Sequence, residues 1–164
     1  MKTNVNSIPK GYHSLTPYIT VKDAKKAIEF YQKAFGAKEI ERMPMPDGSI
    51  GHAVLEIGDS RIMLADENLE WGNKGPQTLG GTPVGLCLYV DDVDTVFNNA
   101  LTAGATVVGD MVVKDQFYGD RSGTVADPFG CTWMIGTHKR DVSQDEMQKL
   151  MNQMYESQRT AQHN

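Results

Sequence analysis

The sequence predicts an α+β fold: two tandem βαβββ modules facing each other across a shared groove, followed by a C-terminal helix. Three observations predict it. A segment occurs twice, Ile19–Ile28 aligning with Leu88–Phe97 at an offset of 69 residues. Each copy passes from a strand-like run through an acidic turn into an amphipathic helix, and leaves at a Gly-Ala pair, Gly36-Ala37 or Gly104-Ala105. Short strand-like runs follow each helix, separated by turn residues.

Residues 1–14 are polar, carry Pro9 and Gly11, and read as an arm. The first module spans 15–66. Leu15 to Val21 alternates at period two, with Leu15, Ile19 and Val21 on one face and Thr16, Tyr18 and Thr20 on the other. Pro17 donates no ladder hydrogen bond, which suits an edge or a strand's beginning. Asp23 is a credible N-cap. Ala24, Ala27, Ile28, Tyr31, Ala34 and Phe35 then form one stripe at helical spacing, stopped by Gly36. Strands are expected over 38–42, 51–57 and 61–66, and 67–83 reads as a linker loop.

The second module spans 84–137, with a strand over 84–90, a helix over 93–103 and strands over 105–108, 122–126 and 131–136. Asp127-Pro128-Phe129-Gly130 makes the last turn. The tail, 138–164, begins a helix at the capping box Ser143 to Glu146. Met147, Leu150, Met151 and Met154 form a stripe there that predicts core or dimer packing.

Composition sets bounds. The net charge of −5 argues against a nucleic-acid surface, which needs a basic face. No apolar run approaches the roughly 20 residues that span a bilayer, so no membrane partner is expected. Cys87 and Cys131 have no metal-site or disulfide spacing. A cytoplasmic protein is the expectation.

Several motifs resemble one family. They are Thr16-Pro17-Tyr18-Ile19, Ala27-Ile28-Glu29-Phe30-Tyr31 with Phe35-Gly36-Ala37, and Phe117-Tyr118-Gly119-Asp120-Arg121 with Asp127-Pro128-Phe129-Gly130. Together they resemble the vicinal oxygen chelate superfamily of glyoxalases, bleomycin-resistance proteins and dioxygenases, in its PhnB-like branch. The resemblance implies curved mixed sheets around a cavity, helices outside, and a homodimer. It also implies a small organic ligand.

Metal-dependent members of that family carry one His, Glu or Gln on the first strand and one on the last strand of each module. By the resemblance, the first-strand positions here are Thr16 and Gly85. The last-strand positions are Met134 and one of Ile62, Met63 and Leu64. None offers imidazole or carboxylate, so no metal ligand and no cofactor are expected. His52 and Glu56 share a strand face, but four residues separate them by about 13 Å, too far to chelate one ion.

The function expected is therefore small-molecule binding without the usual metal. The alternative is a lyase, isomerase or dioxygenase-like enzyme using a shifted metal site, or His52 as acid or base. Candidate ligand-binding residues are Tyr18 and Tyr89 on the inward strand faces, Phe117, Tyr118, Asp120 and Arg121 on the glycine turn, and Trp133 on the last strand. Aromatic faces suit a flat organic body, and the Arg121 fork suits an oxyanion. Asp120 and Arg121 could instead pair with each other, and Trp133 could instead be core. His13, His138 and His163 are expected at the surface.

Overall fold

The computed structural model describes residues 5–161, and its elements follow the repeat. In the first module these are β1 (Tyr18–Val21), α1 (Ala24–Phe35), β2 (Lys38–Pro44), β3 (Ile50–Ile57) and β4 (Ser60–Asp66). A short helix, α2 (Pro76–Leu79), lies in the connection expected to be loop. The second module holds β5 (Gly85–Tyr89), α3 (Val93–Ala103), β6 (Thr106–Val107), β7 (Lys114–Asp115), β8 (Asp120–Ala126) and β9 (Thr132–His138). Last comes α4 (Gln144–Ala161). His163 lies outside the described residues.

Each module makes an open sheet, ordered β1-β4-β3-β2 in the first and β5-β9-β8-β6 in the second, with β7 also on β8. In both, the first strand runs parallel to the last, and the helix between β1 and β2 or β5 and β6 makes that direction possible. β1 and β5 are therefore outer strands, each hydrogen-bonded on one side only.

The helices close as their caps dictate. Asp23 accepts from the Lys26 N–H and Asp92 from the Thr95 N–H, while Gly36 and Gly104 take left-handed conformations at the exits. α1 and α3 pack on each other, and their apolar stripes share one core with both sheets. Ile28, Tyr31, Leu55, Leu64, Val125 and Ile135 are wholly enclosed; each such aliphatic side chain contributes about 1.5–3 kcal/mol.

Aromatic contacts tie the modules. Phe35 and Tyr31 of α1 lie 4.7 and 5.3 Å from Trp133 of β9. Beneath them Asp127 is buried and accepts four hydrogen bonds, from Tyr31 Oη, Trp133 Nε1 and the N–H groups of Phe129 and Cys131. Trp133 is thus a core residue, 3% exposed, rather than an open stacking platform.

Four further expectations change. Leu15 does not share the buried face of Ile19 and Val21; it is 87% exposed, because the ladder begins only at Tyr18. β8 starts at Asp120 rather than Ser122, since Asp115 of β7 pairs with Arg121. In α4 the stripe is not core, with Met151 and Met154 about half exposed. The Ser143 hydroxyl does cap Glu146 N–H, but the Glu146 carboxylate turns to Arg140 instead of completing the box.

Candidate functional site

A cleft of about 950 Å³ opens between the modules. One wall is the free edge of β5 and its continuation, Leu86 through Asp92 without a gap. The facing wall is the β3–β4 hairpin with the end of the arm, His13 to Pro17. Phe35, Val96 and the edge of Trp133 supply apolar floor. A smaller hollow of about 350 Å³ lies beside it, between β1 and the linker, with Tyr18 on its wall.

Strand alternation decides which side chains reach these openings. On β5, Leu86 and Leu88 turn half-buried toward the helices, while Cys87 and Tyr89 stand exposed on the other face. Burial and then the Asp120 charge push the Cys87 thiol up, which disfavours it as a nucleophile.

Tyr89 begins a chain of polar contacts. Its hydroxyl donates to Asp120 Oδ2 at 2.7 Å, and His138 Nδ1 meets Asp120 Oδ1 at the same distance. His138 Nε2 reaches Asp141 at 3.1 Å. The hydrogen bond to Asp120, with desolvation second, lifts the Tyr89 phenol to about 12. Asp120, then Asp141, raises His138 above its ordinary value. The result is a nearly buried carboxylate flanked by a neutral phenol and a histidine biased toward imidazolium.

His138 is exposed, as expected, and its partnership with Asp120 is what residue-by-residue reading does not show. One signal was available: Asp120 and His138 are equidistant from Phe129 at the centre of the turn, so a regular hairpin places them opposite. The ladder pairs them so.

The other candidates scatter. Arg121, adjacent to Asp120 on the strand, points the opposite way. Its guanidinium is bidentate to Asp94 of α3 at 2.8 Å and also meets Asp115, so neither the free fork nor an Asp120–Arg121 pair is found. Phe117 stacks edgewise on Tyr118, whose hydroxyl meets Ser122. Phe117, Tyr118 and Arg121 are not on the cleft wall. His52 Nδ1 lies 3.3 Å from the Tyr18 hydroxyl, across the exposed face of the first sheet.

Strand register also resolves the four positions at which metal-dependent relatives hold ligands. Tyr18 pairs with Met63 in one module and Cys87 with Met134 in the other, so Met63 is the counterpart of Met134. Thr16, Met63, Gly85 and Met134 together offer a hydroxyl, two thioethers and one position without a side chain. That donor set does not suit a hard or borderline divalent cation. Among the described residues no three His, Cys, Asp or Glu side chains converge as a metal site.

Comparison with known proteins agrees with this architecture. The sequence pattern of the "Glyoxalase/Bleomycin resistance protein/Dioxygenase superfamily" matches residues 12–135. An uncharacterized protein of Mycobacterium bovis is 49% identical over 141 residues, covering 84% of this chain and 91% of that protein. Protein YjdN of Escherichia coli is 26% identical over 152 residues, covering 79% and 99%. Among solved structures, TioX from Micromonospora sp. ML1 superposes with a TM-score of 0.60 at 25% identity, over 77% of this chain and 98% of that one. The PhnB protein of Bacillus cereus gives 0.60 at 17% identity, over 76% and 99%, a likeness of fold.

Proposed function

The chain belongs to the glyoxalase/bleomycin resistance protein/dioxygenase superfamily, and from that premise we propose that it is a small-molecule binding protein whose ligand sits in the cleft between the modules without the usual divalent metal. One observation carries the reading. The cleft between the modules stays open at about 950 Å³, and none of Thr16, Met63, Gly85 and Met134, the positions that hold metal in metal-dependent relatives, is on its wall. That volume lies within the range of drug-sized ligand sites, and apolar walls with few polar groups are their common make-up.

The roles follow from the geometry. Leu86, Leu88, Val96 and the Phe35 edge desolvate the ligand body. Tyr89, its proton committed to Asp120, presents a ring face and the lone pairs of its oxygen to the ligand. The test is a fragment screen by thermal shift and by NMR, run with and without chelator. Hits should raise stability with the logarithm of concentration over Kd once concentration exceeds Kd, and perturb Leu86 to Val90, unchanged by chelation. Hits that appear only with added divalent ion would overturn the metal-free reading.

A second reading, acid–base catalysis on a ligand held against the exposed face of the first sheet, rests on the Tyr18–His52 contact. It expects turnover that survives chelation and disappears in His52→Ala.

A further inference from the structure

Arg61 is the second residue of β4, opposite Glu56 on the ladder. Its surroundings are unusual for an arginine. No carboxylate among the described residues lies within ion-pairing distance of it. Nε is buried without an acceptor, and no hydrogen bond joins either Nη to another described residue. Buried donors left without acceptors are rare, and each asks for an explanation.

The flat of the guanidinium is occupied. The Tyr12 ring lies over it, with Cζ 4.7 Å from the ring centroid. Gly11 lies against it so closely that a Cβ there would stand 2.7 Å from Cζ and Nη2. Residue 11 also has φ +84, so glycine alone lets the arm settle here. Such stacking uses the face of a guanidinium and leaves the two Nη groups, which are not buried and whose N–H bonds radiate in its plane, available for planar, two-pronged recognition.

The position of Arg61 gives those donors a purpose. It stands on the wall of the inter-module cleft and also of the 550 Å³ hollow beneath the arm, with His13 beside it in both. Around it the cleft is largely apolar. Two of the carboxylates on its wall already have partners: Asp92 caps α3 through Thr95, and Asp59 accepts from the Ser60 hydroxyl. Asp91 is exposed at the α3 end.

We propose that Arg61 is an oxyanion anchor, and that the ligand class of the cleft is an organic carboxylate or phosphate monoester with an apolar body. The head group accepts in-plane hydrogen bonds from Arg61, and the body lies along Leu86, Leu88 and Val96. This rests on the binding role of the cleft and adds the chemical class of its occupant.

The experiment uses the full chain and three probes of matched body: 4-phenylbutyrate, 4-phenylbutyl phosphate and 4-phenylbutanol. Affinities come from calorimetry, and the 15Nε resonance of Arg61 is followed by NMR. At least one anion should bind about tenfold tighter than the alcohol and move the Arg61 Nε resonance. Which anion prevails identifies the head group. In Arg61→Gln the anion advantage should vanish; in Tyr12→Leu, which removes the stack but keeps the fork, it should persist. Equal binding of acid and alcohol by the unmodified protein overturns the anchor and leaves the cleft as a binding site. An anion advantage that survives in Arg61→Gln does the same. Binding of none of the three overturns the anchor and the cleft reading together.

Discussion

Tyr89 reaches Asp120 across an intervening strand: β9 separates them, and the residue beside Tyr89 there is Gly136. A Cβ at Gly136 would lie 3.7 Å from the Tyr89 ring, in ordinary contact. Alanine is therefore tolerated, whereas Gly136→Leu should push the phenol off Asp120. The readout is the phenol titration: the native chain should show a Tyr89 component near 12, which should fall toward 10 in Gly136→Leu and in Asp120→Asn, while Gly136→Ala keeps it.

His138 gives a pH dependence of defined sign. Its folded pKa is raised by Asp120 and Asp141 above the ordinary 6.5. The stabilisation linked to it is fully present below about 6.5 and is lost as pH rises through the folded value. An NMR titration of the histidines should show a midpoint above 6.5 for His138, lowered in Asp120→Asn. A native midpoint at or below 6.5 would contradict the contact.

Asp127 joins the modules through Tyr31, 96 residues away in sequence. Tyr31→Phe removes one donor from a buried carboxylate and should cost roughly 1–3 kcal/mol in urea unfolding. Asp127→Ala strands four buried donors and should cost more, about 3–5 kcal/mol by analogy with breaking a buried polar network. Equal costs for the two would mean that the carboxylate is not the hub.

Gly119 is where the second-module turn is least forgiving. Its φ is +101, and a Cβ would overlap the Arg140 carbonyl and touch Val142. Gly119→Ala should destabilise by roughly 2–4 kcal/mol. It should also disturb the His138 titration, because Lys139 and Arg140 N–H both bond the Gly119 carbonyl.

Much of the fold was legible in the sequence because it rests on local periodicity and capping. The repeat, the Asp23 cap, the Gly36 and Gly104 exits and the burial of Ile28 and Tyr31 all follow from spacing. The site was less legible because it depends on pairing. Arg121 and Asp120 are neighbours in sequence and part company in space, since successive strand residues face opposite ways. His138 gained a partner only once the β8–β9 register was known. Arg61 drew no notice, since its surroundings come from an arm about fifty residues upstream.

The most direct test of the whole account is a crystal structure of untreated protein, with elemental analysis of the same sample. The account predicts substoichiometric divalent metal and an organic molecule, native or soaked, seated along Leu86 to Val90 with its polar end at Arg61. A stoichiometric ion held by side chains of both modules would contradict it.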